Sequence, residues 1–217
     1  MTVYCISGLG ADHRAFERLE WGPQHLIVHL PWLEPYDKEN LQQYARRMAC
    51  SINTQEPFAL VGLSFGGIVA IEMMAFLNPN KIVLISSISH SAQLPWYFRL
   101  IGKTNLYKSH LFLSLKNNTH IINALFGQKE TPLGKYLKNR FAHISDRYLS
   151  WSMEQILRWQ QNEKPNEVFQ IHGTKDIVFP ISRIKSDYVI DGGSHFMIYT
   201  HAKQVSKQVQ QILSYQL

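Results

Sequence analysis

Three side chains of this 217-residue sequence have the types and the order to build a nucleophile with its base and acid: Ser64, Asp176 and His195. A serine hydroxyl is a poor nucleophile at neutral pH. It needs a neighbouring base, most often histidine, whose tautomer must be held by a third group. Ser64 sits in Phe58-Ala59-Leu60-Val61-Gly62-Leu63-Ser64-Phe65-Gly66-Gly67-Ile68-Val69-Ala70, which reads as a buried strand, a sharp turn and the start of a helix. Such a turn holds the serine in a strained conformation and admits only very small residues two positions before and after it. Gly62 and Gly66 occupy those positions, and an amphipathic run is expected from Ile68 to Leu77. Asp176 follows the strand-like run Val168 to Gly173, so its carboxylate is expected just beyond a carboxyl-terminal strand end. His195 lies in the loop Asp191-Gly192-Gly193-Ser194-His195-Phe196, after a second short strand signal at Asp187 to Ile190.

The chain order Ser64, Asp176, His195, with each residue after a strand, is similar to that of the α/β-hydrolase fold superfamily. The resemblance covers nearly the whole chain. It rests on Ser7-Gly8-Leu9-Gly10, Gly62-Leu63-Ser64-Phe65-Gly66-Gly67, His172-Gly173-Thr174-Lys175-Asp176 and Gly193-Ser194-His195-Phe196. It implies that Ser64 attacks a carbonyl, that His195 takes and returns the proton, and that Asp176 orients the imidazole. It also implies an oxyanion hole made by the backbone N–H groups of Leu9 and Phe65. Phe65 suits that role because it opens a helix, where N–H groups lack partners and the dipole favours an anion. The activity implied is that of a serine hydrolase cleaving a carboxylic ester or related acyl compound through an acyl-enzyme, with a small-molecule substrate and no cofactor or metal. A thioesterase or carbon–carbon bond hydrolase would use the same triad. From another class, a ligand-binding protein on this fold with little turnover is the alternative.

Competing readings of the same residues are weaker. Gly8-Leu9-Gly10 after a strand is how a dinucleotide site begins, but the third glycine of that fingerprint would fall at His13. No Walker-type phosphate loop, H-E-x-x-H or paired C-x-x-C is present. Asp191 is an alternative acid on the histidine's own loop, expected to compete poorly with Asp176. His172 is read as structural, at the end of a buried strand. His13 and His90 could face a pocket, while His25, His29, His110, His120, His143 and His201 are read as bystanders. Of the aromatic set Trp96, Tyr97, Phe98, Phe112, Phe126 and Trp151, several members are expected to line whatever covers Ser64.

Strand and helix signals alternate along the chain, which argues for a parallel sheet with helices on both faces. Strands are expected near 2–7, 25–30, 57–63, 80–86, 167–172 and 187–191, and helices near 13–19, 38–53, 65–77 and 197–214. The fold class is thus α/β: a three-layer, mostly parallel sheet of about six strands that lacks the two opening strands of the full fold, leaving Gln24 to Leu30 on an edge. The span between Asp176 and His195 is too short for a long intervening helix. A single domain is expected, with its core at 1–87 and 166–217 and a helical lid insertion at about 88–165. Helical runs in that insertion are Leu106 to Phe126, Gly134 to Phe141 and Asp146 to Asn162.

Two cysteines far apart in sequence, Cys5 and Cys50, make no disulfide framework, so a reduced, cytoplasmic setting is expected. Met1 to Ser7 has neither the basic flank nor the apolar core of a signal peptide, and no run is long enough to span a bilayer. Charge is uneven: Tyr97 to Ser150 carries nine Lys and Arg against two acidic residues, or +7, in a chain whose total is +6. The plain reading is a solvated helical surface. The functional one is attraction of an anionic ester, thioester or lipid surface. Nucleic acid is not an expected partner, because the basic residues are scattered and no recognised motif accompanies them.

Overall fold

Apolar runs without alternation, such as Phe58–Leu63 and Ile82–Ile85, bury both faces of a strand, and a parallel sheet covered on both sides requires this. In the computed structural model, which describes residues 1–104, 106–114, 116, 118 and 132–214, six strands form one such sheet. They are β1 (Thr2–Ile6), β2 (Leu26–Leu30), β3 (Phe58–Leu63), β4 (Lys81–Ile85), β5 (Val168–Gly173) and β6 (Tyr188–Ile190). Their order is β2-β1-β3-β4-β5-β6 with every pair parallel, so Leu26–Leu30 lies on an edge as the sequence indicates. Register places Ile6, Gly62 and Leu84 side by side. The loops leaving β1, β3 and β4 therefore open at the same end of the sheet, and Ser64 stands just past the carboxyl end of central β3.

Side-chain alternation divides the core. Tyr4, Ile6, Leu60, Ile82 and Leu84 face α1 (Leu41–Met48) and α2 (Phe65–Met73). Val3, Cys5, Val61, Val83 and Ile85 face α8 (Ala202–Ser214), which turns Val205, Val209 and Ile212 toward them. A capping box between Asn40 and Gln43 starts α1, and the buried positions Leu41, Tyr44, Ala45 and Met48 follow helical spacing.

The helix after the turn differs from the expected amphipathic run. Eight of the nine residues of α2 are buried, because it is sandwiched between the sheet and other helices, and such a helix has no need of a polar face. Its exception, Glu72, accepts a hydrogen bond from Trp159 Nε1 at 2.7 Å. The helix also ends at Met73, earlier than 77. Residues 74–76 tighten into bonds between i and i−3, as in Ala75 N–H to Glu72 O at 3.2 Å.

Other boundaries shorten as well. The element expected over 13–19 is a 3₁₀ turn at His13–Phe16, and the one over 38–53 ends at Met48 before a 3₁₀ turn at Ala49–Ser51. The last expected helix is broken at His201, where φ is −123°, into α7 (Met197–Thr200) and α8. Between β4 and β5 lie α3 (Trp96–Thr104), α4 (His110–Ser114), α5 (Pro132–Ala142) and α6 (Asp146–Arg158). Ser145 caps α6 by accepting from Tyr148 N–H at 3.0 Å. Of the run Leu106 to Phe126, the described part is a 3₁₀ turn at Leu106–Lys108 and α4; Phe126, Lys129 and Glu130 lie outside the described residues. No helix among the described residues is long and apolar enough to cross a membrane.

Candidate active site

Ser64 holds φ +51° and ψ −119°, values that cost a non-glycine residue about 1–3 kcal/mol unless its surroundings over-determine them. Here they do. Ser64 N–H donates to Ile85 O at 2.9 Å, and Ser64 O accepts from Gly67 N–H at 2.9 Å and from Ser87 Oγ at 2.6 Å. A Cβ on Gly62 would overlap the backbone of Gly67, and one on Gly66 would overlap the carbonyl oxygens of Ile6 and Ser7. The turn therefore brings α2 against β1 as closely as backbones can approach.

His195 Nε2 lies 2.8 Å from Ser64 Oγ, and His195 Nδ1 lies 2.8 Å from Asp176 Oδ2. A carboxylate only accepts, so Nδ1 carries the proton and Nε2 is left to take one from the serine hydroxyl. Asp176 Oδ1 accepts from the N–H groups of Val178 at 2.9 Å and Phe179 at 3.0 Å. Burial works to raise the Asp176 pKa; the charge of His195 and hydrogen bonds from His172 and His195 outweigh it and hold the carboxyl well below the usual range. The short span between acid and histidine holds a 3₁₀ turn, Ile181–Arg183, and β6 with no α-helix between them, yet the contact closes. The two loops are stitched by Thr174 N–H to Ile190 O at 3.1 Å and Lys175 N–H to Gly193 O at 2.8 Å. Asp191 turns outward instead and accepts from Thr174 Oγ1 at 3.1 Å.

Of the five residues singled out from sequence, three meet in this chain of contacts, and the other two flank the serine. Phe65 follows it in the chain. Leu9 borders the same cavity, in a loop where a Cβ on Gly8 would come 3.4 Å from Ser64 Cβ. Among the described residues, neither the Leu9 nor the Phe65 N–H has a hydrogen-bond partner.

Two further residues were not legible as site residues. Trp32, just past β2, donates from Nε1 to Gly8 O at 3.1 Å and stacks on the Phe65 ring with centroids 5.3 Å apart and planes 6° from parallel. One indole thus ties together both segments beside the serine. His172 is fully buried with Nε2 3.2 Å from Asp176 Oδ2, so the residue read as structural lies against the acid. A hint was present in the strand-end position of each.

Ser64 and His195 open into a cavity of about 260 Å³. Phe98 and Ile101 of α3, Phe112 of α4, Leu149, Met153 and Ile156 of α6, and Val178 and Phe179 complete its largely apolar wall. From the expected aromatic set, Phe98 and Phe112 contribute, whereas Trp96 is exposed and Trp151 packs behind Phe65 with its Nε1–H on Glu39 O at 2.6 Å. Lys116 also borders the cavity, but its Nζ donates to Ile144 O at 3.0 Å and pairs with Asp146. Lys108 pairs with Glu154 at 3.0 Å. Among the described residues no three His, Cys, Asp or Glu side chains converge in a way that could hold a metal ion.

No protein-family model and no curated protein matches this chain in sequence. Solved structures match it in fold. A bromoperoxidase from Bacillus anthracis is 16% identical with a TM-score of 0.73, over 99% of this chain and 92% of that one. A hydrolase from Pseudomonas aeruginosa PA01 is 12% identical with a TM-score of 0.75, over 99% and 90%. The enol-lactonase from Burkholderia xenovorans LB400 is 13% identical with a TM-score of 0.69, over 99% and 91%. The chain has the α/β-hydrolase fold, and most of these structural neighbours are hydrolases.

Proposed function

We propose that this protein is a serine hydrolase that cleaves a carboxylic ester or related acyl compound with an apolar acyl part. The observation that carries the reading is the pair of 2.8 Å contacts linking Ser64 Oγ, His195 and Asp176 at the floor of an apolar cavity. Ser64 Oγ attacks the acyl carbon while its proton passes to His195 Nε2, and the imidazolium is stabilised by the Asp176 carboxylate. Negative charge then gathers on the former carbonyl oxygen. The N–H groups of Leu9 and Phe65 receive it, a contribution of about 3 kcal/mol per donor. His195 returns the proton to the departing alkoxide or thiolate, leaving Ser64 acylated. Water, activated by the same imidazole, adds to the acyl carbon, and Ser64 leaves with the proton. Helices α3, α4 and α6 serve as a lid, and their Phe98, Ile101, Phe112, Leu149, Met153 and Ile156 select the acyl group.

Cavity size sets the substrate range. A cavity of about 260 Å³ is large enough for an acyl chain of several carbons. Each buried methylene contributes about 0.8 kcal/mol, or about fourfold in kcat/KM when that contact is retained in the transition state. A panel of esters and thioesters of graded acyl length should therefore rise by up to about fourfold per carbon until the cavity is filled, and then fall. A profile flat from acetyl to dodecanoyl would contradict the assignment of this cavity to the acyl chain. No turnover of any member, with Ser64 unreactive, would favour a ligand-binding protein.

A further inference from the structure

A carboxylate can accept about four hydrogen bonds, and the Asp176 carboxylate is surrounded by four donors. Oδ1 takes the backbone N–H groups of Val178 and Phe179, and Oδ2 takes His195 Nδ1. The fourth donor is His172 Nε2, 3.2 Å from Oδ2, and the serine hydrolase reading gives it no task. His172 is fully buried in β5. Its Nε2 also lies 2.7 Å from Phe179 O. Both neighbours are acceptors, so Nε2 carries the proton; it donates to Phe179 O and lies within ion-pair distance of Oδ2.

The opposite side of the ring is different. Among the described residues, His172 Nδ1 is buried without a hydrogen-bond partner. A buried nitrogen left in that state is costly, and an aliphatic side chain in the same strand would avoid the cost. The satisfied side of the imidazole is the side that faces the acid.

Resting on the serine hydrolase reading, we propose that His172 is a positioning residue, whose Nε2–H ties the Asp176 carboxylate to the Phe179 carbonyl and keeps Oδ2 aimed at His195. Rotation of a carboxylate about its last torsion is soft, so its direction depends on what each oxygen meets. Backbone N–H groups fix Oδ1, and His172 fixes Oδ2 from a rigid strand. The same bond anchors the turn that carries the Phe179 ring, which stands edge-on to His195 with centroids 5.6 Å apart. Loss of the donor would let both the acid and the ring beside the base drift from the serine.

Kinetics of the full chain test this with His172→Leu, which removes the donor, and His172→Gln, whose amide can donate from the Nε2 position. Each is made alone and with Asp176→Asn. His172→Leu should lower kcat by about 10- to 100-fold, as loss of an outer orienting partner does elsewhere, with little change in KM. His172→Gln should restore most of it. Asp176→Asn alone should cost about 10⁴-fold. In that background His172→Leu should cost almost nothing more, because the group it acts through is gone.

Full kcat in His172→Leu, or a loss undiminished beside Asp176→Asn, overturns the proposal. Should His172→Leu fail to fold, nitrogen NMR of histidine-labelled protein keeps the question open to refutation. Asp176→Asn should then move the His172 Nε2–H resonance as well as that of His195, and movement of His195 alone overturns the proposal. Ser64→Ala, measured alongside, separates the two readings. If it abolishes turnover while His172→Leu keeps full kcat, only the positioning role falls; if it keeps wild-type turnover, the hydrolase reading falls and the positioning role with it.

Discussion

Replacing Gly66 by alanine adds one methyl group at the point where the helix carrying Phe65 meets the first strand. That methyl would overlap the carbonyl oxygens of Ile6 and Ser7. Both obstacles are backbone, at the carboxyl end of β1 and in the loop leading to Leu9, so no side chain can rotate away. Overpacking a well-packed site costs about 1–3 kcal/mol, and an overlap with fixed backbone belongs at the upper end. For a domain of this size about 3 kcal/mol corresponds to a fall of about 6–12 °C in melting temperature. Activity should suffer more than stability. Relief of the overlap must move α2 away from β1, and with it Ser64 and the Phe65 N–H relative to Leu9, where a shift near 1 Å costs about 100-fold. Gly8→Ala is the control, because its Cβ would come 3.4 Å from Ser64 Cβ, an ordinary contact. Thermal melts and kcat/KM of the two variants together decide the matter. If Gly66→Ala melts and turns over like the wild type, or if the two variants lose stability equally, the close approach of α2 to β1 is wrong.

Two further outcomes follow from the same geometry. Trp32→Phe keeps the stacked ring but loses the bond from Nε1 to Gly8 O; kcat should fall about fivefold, the size of one neutral hydrogen bond, with KM nearly unchanged, and an unaltered kcat would remove Trp32 from the account of the site. Burial raises the pKa of Asp12, but its bonds to Arg14 and Tyr136 bring it down to about 2 from an ordinary 3.8. A depressed carboxylate stabilises the fold above its unfolded pKa and loses that stabilisation as pH falls through the folded one. Asp12→Asn should therefore cost about 1–2 kcal/mol at pH 7 after allowance for its partial exposure, and urea titrations should show the deficit vanish as pH falls from 3.8 towards 2. A deficit independent of pH would mean that charge is not what Asp12 contributes between His13–Phe16 and α5.

The parts of this molecule that are legible in sequence are those whose cause is local. Gly62, Ser64 and Gly66 declare the turn because the backbone there tolerates nothing larger, and the strands announce themselves by unbroken apolar runs. The order of Ser64, Asp176 and His195 is likewise visible, since each stands in the turn or loop that follows a strand. Burial of α2 on all sides was not legible. An apolar segment reads alike whether one face or every face is covered, and only the packing of α1, Trp151 and Trp159 against it decides. Trp32 and His172 escaped for a related reason. Trp32 meets Gly8 across 24 positions, and His172 meets the Phe179 carbonyl only because the loop after β5 folds back on it. Helix ends were misjudged where i to i−3 bonding replaced the regular helix, a choice made by the last turn rather than by the residues' propensities.

The claim that organises all of this is that Ser64 is an activated nucleophile. A fluorophosphonate probe tests it directly, followed by peptide mapping of the labelled protein. One covalent adduct is expected, on the peptide containing Ser64, which is absent from Ser64→Ala and greatly slowed in a His195→Ala variant that still folds. Labelling that persists in Ser64→Ala, or a wild-type protein that stays unlabelled while turning over esters, would contradict it.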